Sequence, residues 1–227
     1  MIIAIHQPQY LPWLGYFHKI MNSDAFVFLD DVQYKKREFQ NRNKIRTNSK
    51  WLWLTIPVIV RGRFDQEIRN VEIDNSNYSW QRKHYESIKM YYNNSPHFLE
   101  HSSFLEETYI KKIWGKLIDI NVFITEYILK YLDISIPIYF SSQFRIKETK
   151  TKRIVEICRK INADTYLSGI GAKEYLDEKE FKNNNIKLIY QNFKHPIYEQ
   201  RYEGFEAYMS IIDLLFNCGK KSRGILM

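Results

Sequence analysis

The segment from His6 to Tyr16 places side chains that exchange protons and hydrogen bonds on a stiff backbone. It reads His6-Gln7-Pro8-Gln9-Tyr10-Leu11-Pro12-Trp13-Leu14-Gly15-Tyr16. The prolines restrict the main-chain dihedral angles, and the glycine lets a ligand approach the main chain closely. We therefore predict His6 as a catalytic base with substrate-binding residues around it: Gln7, Gln9, Tyr10, Trp13 and Tyr16. The alternative is a rigid turn whose histidine and aromatic rings serve packing alone.

Two carboxylates, Asp30 and Asp31, stand directly behind a second apolar run, residues 25–29. At the carboxyl end of a strand, a carboxylate can act as a general base or hold Mg²⁺. We predict Asp30 as a catalytic base and Asp31 as a substrate-binding residue. The alternative is one solvated carboxylate beside one that caps a turn.

A basic segment follows the two carboxylates. Residues 35–46 hold six cationic side chains, namely Lys35, Lys36, Arg37, Arg42, Lys44 and Arg46. Cations interleaved with aromatic and amide groups suit a diphosphate that is attached to a base or a sugar. We predict Lys36, Arg37 and Lys44 as phosphate-binding residues and Gln33, Asn41, Arg42 and Asn43 as substrate-binding residues. The alternative is a solvated, charged face.

Three later groups complete the candidate site. Residues 147–151 (KETKT) are similar to the lysine loop that steadies ATP phosphates in class I synthetases, and they precede a predicted helix. Their predicted phosphate-binding residues are Lys147, Lys150 and Thr151. Further predicted substrate-binding residues are Ser168 and Gly169, in a glycine-containing turn after a predicted strand, and His195 after the last one. A capped helix and an ordinary tight turn are the alternatives.

The elements that must position these residues alternate between strands and helices. Strands are predicted at 2–6, 25–32, 51–58, 136–140, 165–169 and 186–193, with an edge strand at 70–74 and a loop at 33–50. Helices are predicted at 13–22, from 78 to about 131 with interruptions, and at 149–162, 172–183 and 210–216. The pattern predicts one α/β domain with a mostly parallel, helix-covered, Rossmann-like sheet, and with 78–132 as a helical insertion or subdomain. Ligands bind outside the carboxyl ends of the strands in such sheets.

Composition limits the partner and the compartment. The 34 Lys and Arg residues against 26 Asp and Glu residues give a net charge of +8, which favours an anionic small molecule. No apolar stretch is long enough to span a membrane and no signal sequence begins the chain, so we expect a cytoplasmic protein. Cys158 and Cys218 form neither a disulfide framework nor a metal cluster, and we predict no metal site in the protein itself. Motifs of zinc hydrolases and serine esterases do not occur.

Several segments together resemble the WbqC-like family along nearly the whole chain. They are IHQPQYLPWLGYFHKI, FVFLDDVQYKKREFQNRNKI, WLTIPV, TYLSGIGAKEYL and MSIIDLLFNCG. Members of that family occur in bacterial gene clusters for O-antigen and other surface polysaccharides, and a glycine transferase role has been proposed for some. The resemblance implies the cellular process and carries over no individual catalytic residue.

Together, the residues and the resemblance predict an amide-forming acyl or aminoacyl transferase that acts on a nucleotide-linked or lipid-linked amino sugar. The basic segment would hold the diphosphate, and His6 or Asp30 would take a proton from the sugar amine. ATP with Mg²⁺ stays open as a cofactor for an acyl-adenylate route, and a homodimer stays open as well. Two alternatives remain: a protein that binds RNA or aminoacyl-tRNA, and a non-catalytic partner of a polysaccharide-biosynthesis enzyme.

Overall fold

Seven strands form two separate sheets in the computed structural model, which describes residues 1–76 and 79–227. The strands are β1 Ile2–His6, β2 Ala25–Phe28, β3 Arg42–Arg46, β4 Trp51–Thr55, β5 Ile138–Phe140, β6 Thr165–Ser168 and β7 Lys187–Tyr190. Five of them make one sheet in the order β5-β2-β1-β6-β7, and all neighbours in it run parallel. The predicted α/β class with a parallel sheet is therefore confirmed.

Helices cover both faces of this sheet. They are α1 Leu14–Met21, α2 Ser79–Tyr92, α3 Ser102–Glu106, α4 Leu117–Tyr131, α5 Lys150–Lys160, α6 Glu178–Asn183, α7 Ile211–Cys218 and α8 Ser222–Leu226. Side chains alternate along each strand, so Ile3 and Ile5 pack against α5 and α6, whereas Ala4 and Phe26 pack against α1, α4 and α7. The strands are thus buried on both faces, as a parallel sheet requires.

The second sheet corrects the prediction of a loop at 33–50. Residues Arg42–Arg46 form β3, which pairs antiparallel with β4 and not with the parallel sheet. The sequence of β3 does not alternate between apolar and polar residues, because its outward side is basic and its inward side includes a polar residue, Asn43. The Nδ2 of Asn43 donates to the carbonyl of Leu11 at 2.6 Å. The predicted strand 51–58 is correspondingly shorter and belongs to this hairpin. The predicted edge strand at 70–74 is also wrong, since only isolated bridges form there, at Glu72 and Ile73.

The middle of the chain is helical, as the spacing predicts. Helices α2, α3 and α4 lie between β4 and β5, with a π-helical turn at Glu107–Lys111. Tyr78, where the predicted helical region begins, lies outside the described residues. Apolar side chains of α2 and α4 join the same buried cluster as those of α1 and α7. The division of the chain into a single domain with 78–132 as an insertion stays a prediction.

The last part of the chain returns to the first loop. The amide of Ile211 donates to the carbonyl of Pro12 at 2.9 Å, and Ser210 forms an isolated bridge with Trp13. The buried carboxylate of Asp213 accepts hydrogen bonds from the hydroxyls of Tyr92 and Tyr198 at 2.8 and 2.7 Å. These bonds join α7, α2 and the segment after β7. Within the described residues, none of the helices is long and apolar enough to cross a bilayer.

Candidate active site

A cleft of about 860 Å³ opens at the carboxyl ends of β1 and β6. From β1 the chain passes outward to β2 and β5, and then returns to β6 on the other side of β1. Because of this reversal, the connection that leaves β1 and the connection that leaves β6 lie on opposite faces of the sheet. A crevice opens between the ends of these two strands. Residues of both helical layers line it, including Tyr16 of α1 and Ile154 of α5. The cleft therefore lies where a parallel sheet ordinarily binds its ligand.

His6 ends β1 on the floor of the cleft. Its Nδ1 lies 3.1 Å from the carbonyl oxygen of Gln7, so Nδ1 carries the proton and Nε2 is the basic nitrogen. The Tyr16 ring packs edge-on against the imidazole at a centroid distance of 5.0 Å. Burial, reinforced by the nearby Lys19 cation, lowers the pKa of His6 to about 3. His6 is thus neutral at physiological pH, and such a weak base suits hydrogen bonding better than proton abstraction.

Lys19 extends from α1 into the same floor and is only 3 % exposed. Its Nζ donates to the carbonyl of Ile5 at 3.1 Å. In the part of the chain that the structure describes, no carboxylate forms an ion pair with it. Burial therefore lowers the pKa of Lys19 from 10.5 to about 7. An amine with this pKa is partly unprotonated at neutral pH, as a general base requires.

Cations border the mouth of the cleft. Lys35, from the basic segment, and Lys150, the first residue of α5, are exposed and line it together with Glu38. Arg153 lines it too, but Nη1 of this residue binds the Asp31 carboxylate at 2.7 Å. Lys35 and Lys150 are consequently the cationic side chains at the mouth that remain available to an anionic ligand.

Aromatic rings form one wall. Trp13 contacts Phe193 with centroids 5.4 Å apart, and both line the cleft. Gly15 is required here, because a Cβ at this position would lie 2.2 Å from the Trp13 ring. Gln191, which follows β7, donates through Nε2 to the carbonyl of Gly15 at 2.8 Å and so holds α1 against the end of β7.

The turn after β6 forms another edge of the cleft. Ser168 is buried and Gly169 is half-buried, and both border the cleft with the short 3-10 turn Ile170–Ala172. A Cβ added at Gly169 or Gly171 would meet open space. These glycines therefore leave room for a ligand beside the main chain.

The structure brings a subset of the predicted site residues to the cleft. These residues are His6, Gln7, Trp13, Tyr16, Lys150, Ser168 and Gly169. The prolyl segment and the basic segment do adjoin each other, because Nε2 of Gln40 donates to Oε1 of Gln7 at 2.7 Å. Of the six basic side chains, however, only that of Lys35 faces the cleft, and it was not among the predicted phosphate-binding residues.

The predicted catalytic carboxylate lies elsewhere. Asp30 is buried, and its carboxylate accepts hydrogen bonds from the Ser141 hydroxyl at 3.0 Å and from the amide and hydroxyl of Ser142 at 2.9 and 2.7 Å. Asp31 shares the single proton of the Ser141 hydroxyl with Asp30 and pairs with Arg153. Both carboxylates therefore anchor the end of β5 and the start of α5, and the structure places neither on the cleft.

Most predicted residues of the basic segment hold the β3–β4 hairpin and the loops beside it in place. Asn41 donates to the Ile56 carbonyl at 2.8 Å, Gln33 donates to the Phe64 carbonyl at 3.1 Å, and Asn43 contacts Leu11 as described above. The Arg42 guanidinium lies over the Trp53 ring, and Lys44 lies over Trp51. Lys36 and Arg37 are exposed and do not line the cleft.

The remaining predicted residues lie in packing positions or outside the cleft. Tyr10 is fully buried, with its hydroxyl 2.8 Å from His84 Nδ1 and 2.6 Å from the Tyr109 hydroxyl. Gln9 is buried, and His195 accepts from the Tyr208 amide at 3.0 Å within a cluster of aromatic rings. Of the three residues predicted in the lysine loop, only Lys150 lines the cleft. Lys147 is exposed elsewhere, and the Thr151 hydroxyl accepts from the Asp177 amide at 3.1 Å.

Sequence reasoning missed Lys19, Arg153, Gln191 and Phe193. Lys19 had a usable signal: it follows Tyr16 by three positions and Gly15 by four, which places all three on one face of a helix. Gln191 and Phe193 carried none, because nothing local to β7 shows that its end meets α1.

Comparisons with known proteins support the family. The model of the WbqC-like protein family matches residues 7–225. An uncharacterized protein of Mycobacterium tuberculosis is 36 % identical over 221 residues, which cover 97 % of this chain and 95 % of that protein. No solved structure matches the chain significantly.

Proposed function

Because the chain belongs to the WbqC-like protein family, we propose that it is an amide-forming acyl or aminoacyl transferase of surface-polysaccharide biosynthesis. Its acceptor would be the amine of a sugar linked to a nucleotide or a lipid through phosphate, and glycine is one candidate acyl group. The observation that carries the proposal is the buried Lys19, which has no carboxylate partner in the described residues and lies beside His6 under a cationic mouth.

The mouth suits the phosphate part of such an acceptor. Lys35 and Lys150 both line the cleft, one from the basic segment and one from the first turn of α5. A diphosphate held between them would leave the sugar over the floor, next to Trp13, whose apolar ring face can stack on a sugar. This arrangement fixes the amine relative to Lys19, which is the positioning that bimolecular acyl transfer needs.

Lys19 would act as the general base. A sugar amine attacks the carbonyl carbon of an activated acyl donor, so a C–N bond forms and the bond to the leaving group breaks. The leaving group departs with the bonding electron pair, and the proton released by the amine passes to the neutral Nζ of Lys19. His6 would hold its acceptor Nε2 toward the sugar hydroxyls or the amine as a positioning group.

The residues fit ATP only in part. Lys150 lines the cleft, whereas Lys147 and Thr151 do not. The two carboxylates suited to Mg²⁺, Asp30 and Asp31, are held by serines and by Arg153. The lysine loop therefore forms only part of an ATP site in this chain, and activated donors that do not need ATP are compared with ATP in the test.

The test is incubation of the protein with amino-sugar acceptors that are nucleotide-linked or lipid-linked, with separate donor arms for glycine plus ATP, acyl thioester and glycyl-tRNA. Mass spectrometry should detect the acceptor increased by one acyl group. Lys19→Met should lower the rate at least 100-fold, a general-base contribution, while Lys152→Met, an exposed change on α5 away from the cleft, should not. The proposal fails if no donor and acceptor pair gives product. Tight tRNA binding without transfer would instead support the RNA-binding alternative.

A further inference from the structure

The β3–β4 hairpin presents a row of aromatic rings to solvent. Phe39 contacts Trp53 with centroids 6.0 Å apart, and Trp53 contacts Trp51 at 5.8 Å. Phe39 is 39 % exposed and Trp51 is 41 % exposed. Large aromatic side chains are rarely left in contact with one another on a surface unless something covers them. None of these three rings lines the cleft, so the proposed transfer reaction does not use the row.

Cations are interleaved with the rings. The Arg42 guanidinium lies 4.4 Å from the centroid of Trp53, and the Lys44 ammonium lies 5.2 Å from that of Trp51. From 33 to 55 the sequence holds seven Lys or Arg residues and a single acidic residue, Glu38, which lines the cleft. Another acidic residue beside the hairpin is Glu203, whose carbonyl accepts from Arg46. The surface is therefore both apolar and strongly positive.

The end of the hairpin exposes apolar side chains on both faces. Trp51 points outward with the ring row, and its neighbour Leu52 points to the opposite face, yet Leu52 is still 37 % exposed. Exposed Lys50 precedes them at the turn. A nucleic acid strand would stack its bases on free ring faces along one face of the hairpin. Here the Arg42 and Lys44 cations already cover a face of the Trp53 and Trp51 indoles. An aliphatic side chain behind an indole, with lysines around both, instead suits insertion into the interface of a bilayer.

We propose that this hairpin surface, formed by Phe39, Arg42, Lys44, Lys50, Trp51, Leu52 and Trp53, docks the protein on an anionic lipid surface. Trp51 and Leu52 enter the headgroup region, and Arg42, Lys44 and Lys50 pair with lipid phosphates. The row begins at Phe39, next to Glu38 at the mouth of the cleft, so docking brings the mouth toward the membrane. This inference does not depend on which reaction the cleft performs.

The test is co-sedimentation of the purified chain with vesicles of phosphatidylcholine alone or with 30 mol % phosphatidylglycerol. We expect binding to the anionic vesicles that weakens as salt rises. Lys44→Ala and Lys50→Ala should each lower the partition coefficient about fivefold, since one basic side chain near an anionic surface contributes about that factor. Trp51→Ala with Leu52→Ala should lower it at least tenfold at every salt concentration.

Matched controls lie on the helical layer, where Leu99 is 78 % exposed and Lys83 and Lys89 are exposed on α2. Their alanine variants should bind vesicles like the unchanged protein. Circular dichroism shows whether each variant keeps its fold. The proposal is overturned if the protein ignores anionic vesicles, or if the hairpin and control variants lose binding equally. It is also overturned if single-stranded RNA binds the same residues and competes with the vesicles.

Discussion

Replacing Lys19 by methionine should stabilise the protein in a pH-dependent way. The folded chain lowers the pKa of Lys19 from 10.5 to about 7, because burial disfavours the charged amine. Between these two values the unfolded chain binds a proton that the folded chain does not. The stability of the unchanged protein therefore rises with pH through this window, and below about pH 7 the full cost of burying the amine is present.

The size of the effect follows from the shift. One pKa unit corresponds to about 1.4 kcal/mol, so at pH 8 the buried amine costs about 3 kcal/mol. Methionine keeps the length of the side chain without the charge, but it loses the 3.1 Å hydrogen bond to Ile5, whose loss costs about 1 kcal/mol. The variant should thus be about 2 kcal/mol more stable at pH 8. This advantage should disappear as the pH approaches 10.5.

Urea denaturation followed by circular dichroism at pH 7, 8, 9 and 10 measures the difference between the two proteins. Comparing the two proteins at each pH removes the contributions that all other titrating groups make to the free energy of unfolding. Lys152→Met removes an exposed lysine from α5 and should give the same difference at all four values. The reasoning is refuted if Lys19→Met is less stable than the unchanged protein at pH 8, or if its advantage is constant from pH 7 to pH 10.

Three other predictions concern the cleft and the ion pair that holds Arg153 beside it. Asp31→Asn breaks a largely buried ion pair and should cost about 3 kcal/mol in urea denaturation, whereas Glu156→Gln, in an exposed pair, should cost less than about 1 kcal/mol. Gly15→Ala should displace the Trp13 ring, which a shift in tryptophan fluorescence reports; unchanged fluorescence would contradict this. With UDP as a probe for the nucleotide diphosphate part of the proposed acceptor, the same variant should weaken binding at least tenfold in calorimetry. Lys150→Ala should weaken UDP binding about fivefold at low salt and less at high salt, with Lys152→Ala as the control; equal losses in both would refute the assignment.

The sequence predicted the parallel sheet because its strands have a strong local signature. Runs such as Ile2–His6 are apolar throughout, which a strand buried on both faces requires, and helical spacing separates them. The hairpin escaped prediction because strand β3 consists mainly of polar and charged residues. Its alternation is visible only when Asn43 is known to point inward.

The candidate site was predictable only at its centre. His6 and Ser168 end adjacent strands of the sheet, so the rule that sites form at carboxyl ends located both. Asp30 follows the same rule, yet serines that are more than a hundred residues away along the chain satisfy its carboxylate. Lys19 was missed because an isolated lysine on a helix ordinarily points to water. Only burial, which the sequence does not reveal, lowers its pKa enough for it to act as a base.

The contacts that join the start of α1 to the segment between β7 and α7 affect the order in which the protein can fold during synthesis. Trp13 and Gly15 leave the ribosome well before their partners Gln191, Phe193 and Ser210, which follow them by more than 170 positions, are synthesised. The wall of the cleft therefore stays incomplete until those later residues have been synthesised, and contacts of such high sequence separation form slowly. A ligand of the cleft therefore cannot assist folding of the first loop while that loop stands alone, and we expect it to act only after the partner segments have been synthesised and have packed.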